Sequence, residues 1–276
     1  MQLKLIVITF LLFPLTLASQ PVIDVYFSSL APESKGPSFS KVEEVHELLI
    51  PKSGTPSYFK IVKQYNSYGK IVSEKRYNKA GGIMGESQWE YNAKGELTKK
   101  VNRQFMNFKG WINEQILLTY NDTSGVLEEI SLFFENQLKQ RAQVIPDKDL
   151  KITEVLVFNE KNVLTGKERI VYLPQNNTIR VLSYKSNEQF IGATTYPLDP
   201  KLPEPPSAIK REFNSHGDIV LEALPNSIME QGYFYEYTYD SYGNWTEKLT
   251  YQCRVTKNNK VRDKKLEYKI TRKISY

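Results

Sequence analysis

From Tyr58 to Tyr276 apolar and polar residues alternate with a period of two, broken by short polar stretches. That period predicts strands with one packed and one wet face. Between Trp245 and Val255, for example, Trp245, Leu249, Tyr251, Cys253 and Val255 alternate with Thr246, Lys248, Thr250, Gln252 and Arg254. The last strand repeats the pattern, with Leu266, Tyr268, Ile270, Ile274 and Tyr276 against Lys265, Glu267, Lys269, Thr271, Lys273 and Ser275. The breaks follow a recurring phrase: an aromatic, Asn or Asp, a polar stretch with Gly, then an apolar residue. It reads Tyr65-Asn66-Ser67-Tyr68-Gly69-Lys70-Ile71, Tyr91-Asn92-Ala93-Lys94-Gly95-Glu96-Leu97 and Tyr239-Asp240-Ser241-Tyr242-Gly243-Asn244-Trp245. A phrase of this kind is a strand end followed by a tight turn.

The aromatic before each turn recurs at 65, 77, 91, 105, 120 and 134, at intervals of 12 to 15 residues, which is one strand plus one turn. Phe158, Tyr184, Phe213 and Tyr239 follow at about double that step, with turn chemistry near the middle of each wider interval. The expectation is therefore all-β: one antiparallel meander of roughly sixteen short strands from Tyr58 onward, forming a curled open sheet. Gly69, Gly95, Gly110, Gly125, Gly217 and Gly243 are its structural turn positions, where a left-handed backbone favours glycine. The prolines at 197, 200, 203, 205 and 206 cannot donate ladder hydrogen bonds and predict a stiff loop over 197–206.

Ahead of the alternation, residues 19–57 form a lead-in. Within it Lys41 to Ile50 predicts a short helix, with Val42, Val45, Leu48 and Leu49 on one side, Ser40 as a cap and Pro51 as a stop. Residues 1–18 read as a cleaved export signal: Lys4 is the positive start, Leu5 to Leu17 the apolar run, and Thr16-Leu17-Ala18 the small-residue cleavage site. The run is shorter than a bilayer span and contains Pro14. The expected product is exported, periplasmic or extracellular, and does not span the membrane once the signal is removed. A lone cysteine, Cys253, excludes an intrachain disulfide, which is ordinary for a bacterial exported protein. Cys253 falls on an apolar face and is expected to be a buried thiol. The net charge of +6 is spread among acidic residues, as on solvated strand faces, and export argues against nucleic acid as a partner.

The repeated Tyr-Asn/Asp-x-x-Gly-x-apolar phrase resembles the YD repeat of the Rhs family, most closely at Tyr239 to Thr246. The resemblance covers about Tyr58 to Tyr276 and implies a curled β-strip; some copies depart from it, as in Phe158-Asn159-Glu160-Lys161-Asn162, which has no Gly. In that family large members enclose a toxic C-terminal domain. Here the strand pattern continues to the last residues, so only the scaffold is implied.

Candidate chemistry is sparse. His46 and His216 stand apart from each other and from Cys253 and are expected at the surface, which leaves no zinc set and no metal or cofactor call on the chain. No nucleophile elbow, phosphate loop or HExxH motif occurs. Adjacent acids such as Glu43 and Glu44 point to opposite sides if they lie in a strand, so they form no glycosidase dyad. The remaining candidates are aromatic: Tyr233, Tyr235, Tyr237 and Tyr239 share one face, and Trp89, Trp111 and Trp245 lie near other repeat phrases. Such rings either form the core or bind a partner, with the core reading favoured. The resulting expectation is a non-enzymatic exported β-repeat module that binds another envelope or secreted protein, with a polysaccharide as the alternative partner and hydrolysis as the least favoured activity.

Overall fold

The computed structural model describes residues 21–30, 37–49, 58–106, 108–199, 210–223, 231–256 and 260–276. Residues 1–18, expected to be an export signal, and the proline-rich stretch beyond Asp199 lie outside the described residues; Pro197 itself ends a strand. Among the described residues one helical turn, α1 (Asp24–Ser28), precedes seventeen strands. These are β1 (Lys41–Leu48), β2 (Tyr58–Tyr65), β3 (Ile71–Tyr77), β4 (Ile83–Tyr91), β5 (Leu97–Met106), β6 (Gly110–Tyr120), β7 (Leu127–Phe134), β8 (Gln137–Pro146) and β9 (Ile152–Asn159). There follow β10 (Leu164–Leu173), β11 (Thr178–Lys185), β12 (Phe190–Pro197), β13 (Lys210–Phe213), β14 (Ile219–Ala223), β15 (Gln231–Tyr239), β16 (Trp245–Val255) and β17 (Val261–Ser275).

All pairings are antiparallel. From β2 the meander runs outward to β12, and from β17 it runs back the other way to β13. β1 joins the two runs, pairing with β2 on one side and with β17 on the other, where Lys41 faces Ser275 and Leu48 faces Tyr268. Among the described residues no ladder register joins β12 to β13, so the strip is not closed and these two strands are its ends.

One expectation is corrected here. Lys41 to Leu48 is a strand, and the short N-terminal helix lies upstream at Asp24–Ser28. In β1, Val42, Glu44, His46 and Leu48 are buried while their neighbours are half-exposed, a period of two with polar residues on the packed side. The sheet therefore begins at Lys41, and β1 adds to the sixteen strands found from Tyr58 onward.

The repeated phrase folds as an Asx-closed turn. Asn66 Oδ1 accepts hydrogen bonds from the amides of Tyr68 and Lys70, both at 3.0 Å, and Asp240 Oδ1 accepts from Tyr242 and Asn244 at 2.9 Å. Gly243 occupies the left-handed position at φ 81°, where any Cβ crowds the next carbonyl. The copy lacking glycine makes the same turn: Asn159 Oδ1 accepts from Lys161 and Val163, and Asn162 takes φ 59°. Asn tolerates that region because its side chain hydrogen-bonds locally. At the aromatic the ladder slips by one residue, between Gln64 and Tyr65, Glu90 and Tyr91, Thr119 and Tyr120, and Thr238 and Tyr239. Such bulges re-aim the side chain. Tyr91 donates its hydroxyl to Ile71 O at 2.8 Å, and Tyr120 to Leu97 O at 2.9 Å. Each tyrosine thus ties its own turn to the neighbouring one at that end of the sheet.

Cross-strand partners share a face, so the register defines one continuous inner face. From β5 to β12 it is mostly apolar, with half-buried Lys100 and buried Glu168 among its charged groups, and covers α1. Ile23, Phe27, Leu118, Ile130, Val155 and Val181 are buried together, with Trp89, Tyr91, Tyr120 and Tyr196 packed around them.

Candidate interaction surface

Register carries the inner face through β17, β16 and β15, where its lining becomes polar and aromatic. Tyr237 faces Lys248 and Tyr235 faces Thr250, so Lys248 and Thr250, expected on the wet side, lie on the tyrosine side. Tyr233 and Tyr235 are buried; Tyr237 and Tyr239 are half-buried. Each hydroxyl toward the turn end has a partner: Tyr235 donates to Glu222 Oε2 at 2.6 Å, Tyr237 to Ile219 O at 2.9 Å and Tyr239 to Asp218 Oδ2 at 2.8 Å. Burial, then the Glu222 hydrogen bond and charge, pushes the Tyr235 phenol far above its ordinary value. Lys248 Nζ sits 4.4 Å from the Tyr235 ring centre. Burial lowers its pKa, against the raising charges of Glu222 and Asp218. His216 is exposed in its turn and stacks on Tyr239 at 3.9 Å.

Beside these rings, β1 and β17 carry a buried ionic group. Arg272 donates to Glu44 Oε1 from Nε at 2.7 Å, and Lys63 lies 4.0 Å from the same oxygen. His46 Nε2 is 3.2 Å from Glu44 Oε2, and His46 Nδ1 shares a hydrogen bond with the Tyr268 hydroxyl. His46 is thus buried and stacked on Phe59 at 4.4 Å, which corrects its expected surface placement. Burial alone would raise the Glu44 carboxyl; the His46 hydrogen bond and the charges of Lys63 and Arg272 outweigh it and hold it at about 2. Glu43 points the other way, to Lys41 and Lys60. Arg272 also lies 3.4 Å over Trp245, whose ring is 6.4 Å from that of Tyr237.

Of the aromatic candidates, the structure brings together Tyr233 to Tyr239 and Trp245. Trp89 is elsewhere on the inner face, against the α1 core with Lys100 5.4 Å from its ring. Trp111 is on the outer face, because it pairs with Phe105 while Glu114 and Asn102 turn inward. Cys253 is buried, as its position on the apolar side predicts; it packs with Leu221 and Val255.

Trp111 belongs to a feature that sequence reasoning missed. β5 and β6 form a long hairpin whose connection, Met106 to Gly110, closes with the Lys109 amide on Met106 O at 3.2 Å. At its tip Phe108 is fully exposed at φ 73°, an uncommon backbone region for a bulky residue. Phe105 and Trp111 flank it, 49% and 37% exposed, with their rings edge-to-face at 5.8 Å. Arg103 lies 5.2 Å from the Trp111 ring and pairs with Glu86 at 2.7 Å. Ile83, exposed, begins β4 beside the end of β5. The signal in the sequence was an aromatic inside a turn, Phe108 two residues before Gly110, where turn chemistry calls for polar residues.

Fold and surface together define an all-β protein built as a single open antiparallel strip with an exposed aromatic hairpin tip. No protein-family profile and no curated protein matches the chain in sequence. Among solved structures it is similar to a porin-like protein from Bacteroides uniformis, at TM-score 0.41 and 11% identity over 86% of this chain and 98% of that one. It is similar also to a porin-like protein from Bacteroides vulgatus, at TM-score 0.26 and 10% identity over 87% of this chain and 98% of that one. The TcdB2-TccC3-Cdc42 structure is similar at TM-score 0.31 and 8% identity, over 82% of this chain and 16% of that one. Likenesses at these scores decide neither a family nor an activity.

Proposed function

We propose that the chain is an exported, non-enzymatic β-repeat scaffold of the YD-repeat kind that binds another envelope or secreted protein through the tip of the β5–β6 hairpin. The observation that carries this reading is Phe108, a large apolar side chain in full solvent at a left-handed backbone position. Strain and exposure at one residue are features of contact sites, and Phe105, Trp111 and Ile83 extend the patch. Aromatic and Arg anchors of this type dominate protein interfaces. The polysaccharide alternative is less well supported. Tyr235 and Trp245 each carry a cation of this chain near one ring face, and Tyr239 carries His216, which leaves less ring surface for a sugar. Nor do Glu44 and Glu222 on the inner face favour hydrolysis, since the first is engaged by Arg272 and the second by Arg211.

The test compares wild type with Phe108→Asp and Trp111→Ala in retention of envelope extract proteins and of insoluble cell-wall polysaccharide. A protein held by wild type and lost by both variants at unchanged melting temperature supports the reading. Retention on polysaccharide that both variants keep would move the binding to the other aromatics.

A further inference from the structure

The segment beneath the apolar half of the strip is held in a way that singles out its backbone. Glu168 of β10 is buried on the inner face and accepts two consecutive main-chain amides, Val22 N on Oε1 at 2.5 Å and Ile23 N on Oε2 at 3.2 Å. Pro21, just before them, has no amide to offer. Ile23 has no exposed surface, Phe27 lies 5.1 Å from the ring of Tyr196, and Tyr196 donates its hydroxyl to Asp24 Oδ1 at 2.7 Å. These contacts specify a short polypeptide: two adjacent free amides, an apolar residue, an acid, and an aromatic one helical turn on.

What holds the segment from its own side is slight. α1 is five residues long and has no side-chain cap, below the length at which a helix is stable alone. It forms no ladder with any strand, so its departure breaks none of the sheet's pairings. Burial pushes the Glu168 carboxyl up to about 7, against the two amides that favour its charge, with Asp24 raising it further. The seated segment therefore favours the uncharged carboxyl, and seating is tightest below about pH 7. Facing it are Asp24 and Tyr196, and Lys100 lies within reach of the Asp24 charge.

We propose that the inner face of β9–β12 is a binding groove for a short polypeptide segment, read through its backbone amides by Glu168, and that residues 21–28 are the occupant this chain supplies to itself. The same groove accepts, in trans, the corresponding segment of a second copy of this chain, which carries the same residues. This site lies apart from the β5–β6 tip, and neither reading depends on the other.

The test uses the full chain carrying Ile23→Asp and Phe27→Asp, which cannot seat its own segment, and a fluorescent synthetic peptide of residues 21–30. The peptide is expected to bind this variant saturably and to raise its melting temperature in proportion to the logarithm of peptide concentration. N-methylation of the two amides corresponding to Val22 and Ile23, or Glu168→Leu in the protein, should weaken binding on the order of tenfold or more. Absence of binding by a folded variant, or binding indifferent to N-methylation, overturns the proposal. Should the variant fail to fold, hydrogen exchange on wild type decides instead. The Val22 and Ile23 amides are expected to exchange roughly a hundredfold or more faster than those of β10 and β11, because the segment opens without the sheet. Exchange at the same rate as the sheet overturns the proposal equally.

Discussion

Between β5 and β12 the inner face is mostly apolar and is covered by α1; from β15 through β17 and β1 the same face is lined by tyrosines, Lys248, Arg272, Glu44 and His46. Turn phrase, bulge and strand-end aromatic are alike in the two halves. The difference lies in a few mid-strand residues. One half leaves apolar surface that a separate segment must cover, so its stability follows area removed from water. The other satisfies its own charges, so its stability follows whether each buried ion keeps its partner. A repeat can therefore specify a strip while leaving open what occupies it.

Breaking the charged half should have the largest effect. Arg272→Ala leaves the buried Glu44 without its closest cation and is expected to cost about 3 to 5 kcal/mol, measured by chemical denaturation. A loss below ~1 kcal/mol would mean that Lys63 and His46 suffice and that this half is not organised by the ion pair. Next comes Tyr235→Ala, which removes a buried ring and strands the Glu222 hydrogen bond; roughly 3 kcal/mol is expected. If the melting temperature hardly moves, the tyrosine face is not core.

Titration separates the halves by sign. Glu44 is held at about 2 against the ordinary 4.5, so its contribution is complete above 4.5 and is lost as pH falls through 2. Glu168 is raised to about 7, so its contribution is complete below 4.5 and is lost as pH rises through 7. Each limb is on the order of 3 kcal/mol. Melting curves from pH 2 to 8 should show the acid limb vanish in Glu44→Gln and the neutral limb vanish in Glu168→Gln; a single variant flattening both would contradict the division. The smallest effects belong to the turns the halves share. Gly243→Val should cost about 1 to 2 kcal/mol, whereas Leu150→Gly, which relieves φ 64° at the equivalent turn position, should stabilise by about 0.5 kcal/mol. Opposite signs confirm that backbone geometry governs both sites.

The strands and turns from Tyr58 onward were legible because they depend on local chemistry: a period of two, and an Asn or Asp able to cap its own turn. β1 was not, because Glu44 and His46 sit on its packed side and hide the alternation, so that Val42, Val45, Leu48 and Leu49 suggest a helix. Which side of β16 faces the tyrosines was equally hidden. Both of its faces carry buried residues, Thr250 on one and Cys253 on the other, and hydropathy marks only the second. The ring partners of Tyr235, Tyr239 and Trp245 come from other strands and turns, and no sequence spacing announces such pairs. Phe108 was overlooked for the opposite reason, since hydrophobicity is read as burial and this residue has none.

The placement of β1 also bears on how the chain reaches its native state. The hairpins from β2 to β12 join residues close in sequence and can form within microseconds of one another. β1 cannot complete its second ladder until Ser275 and Tyr268 return to Lys41 and Leu48, across more than two hundred residues. Such high contact order is slow. Until that closure, β1 and β17 each present an unpaired edge to any other chain, the condition under which strands associate wrongly. Speeding the return of the last strand should therefore improve the yield of refolding without altering any contact in the finished sheet.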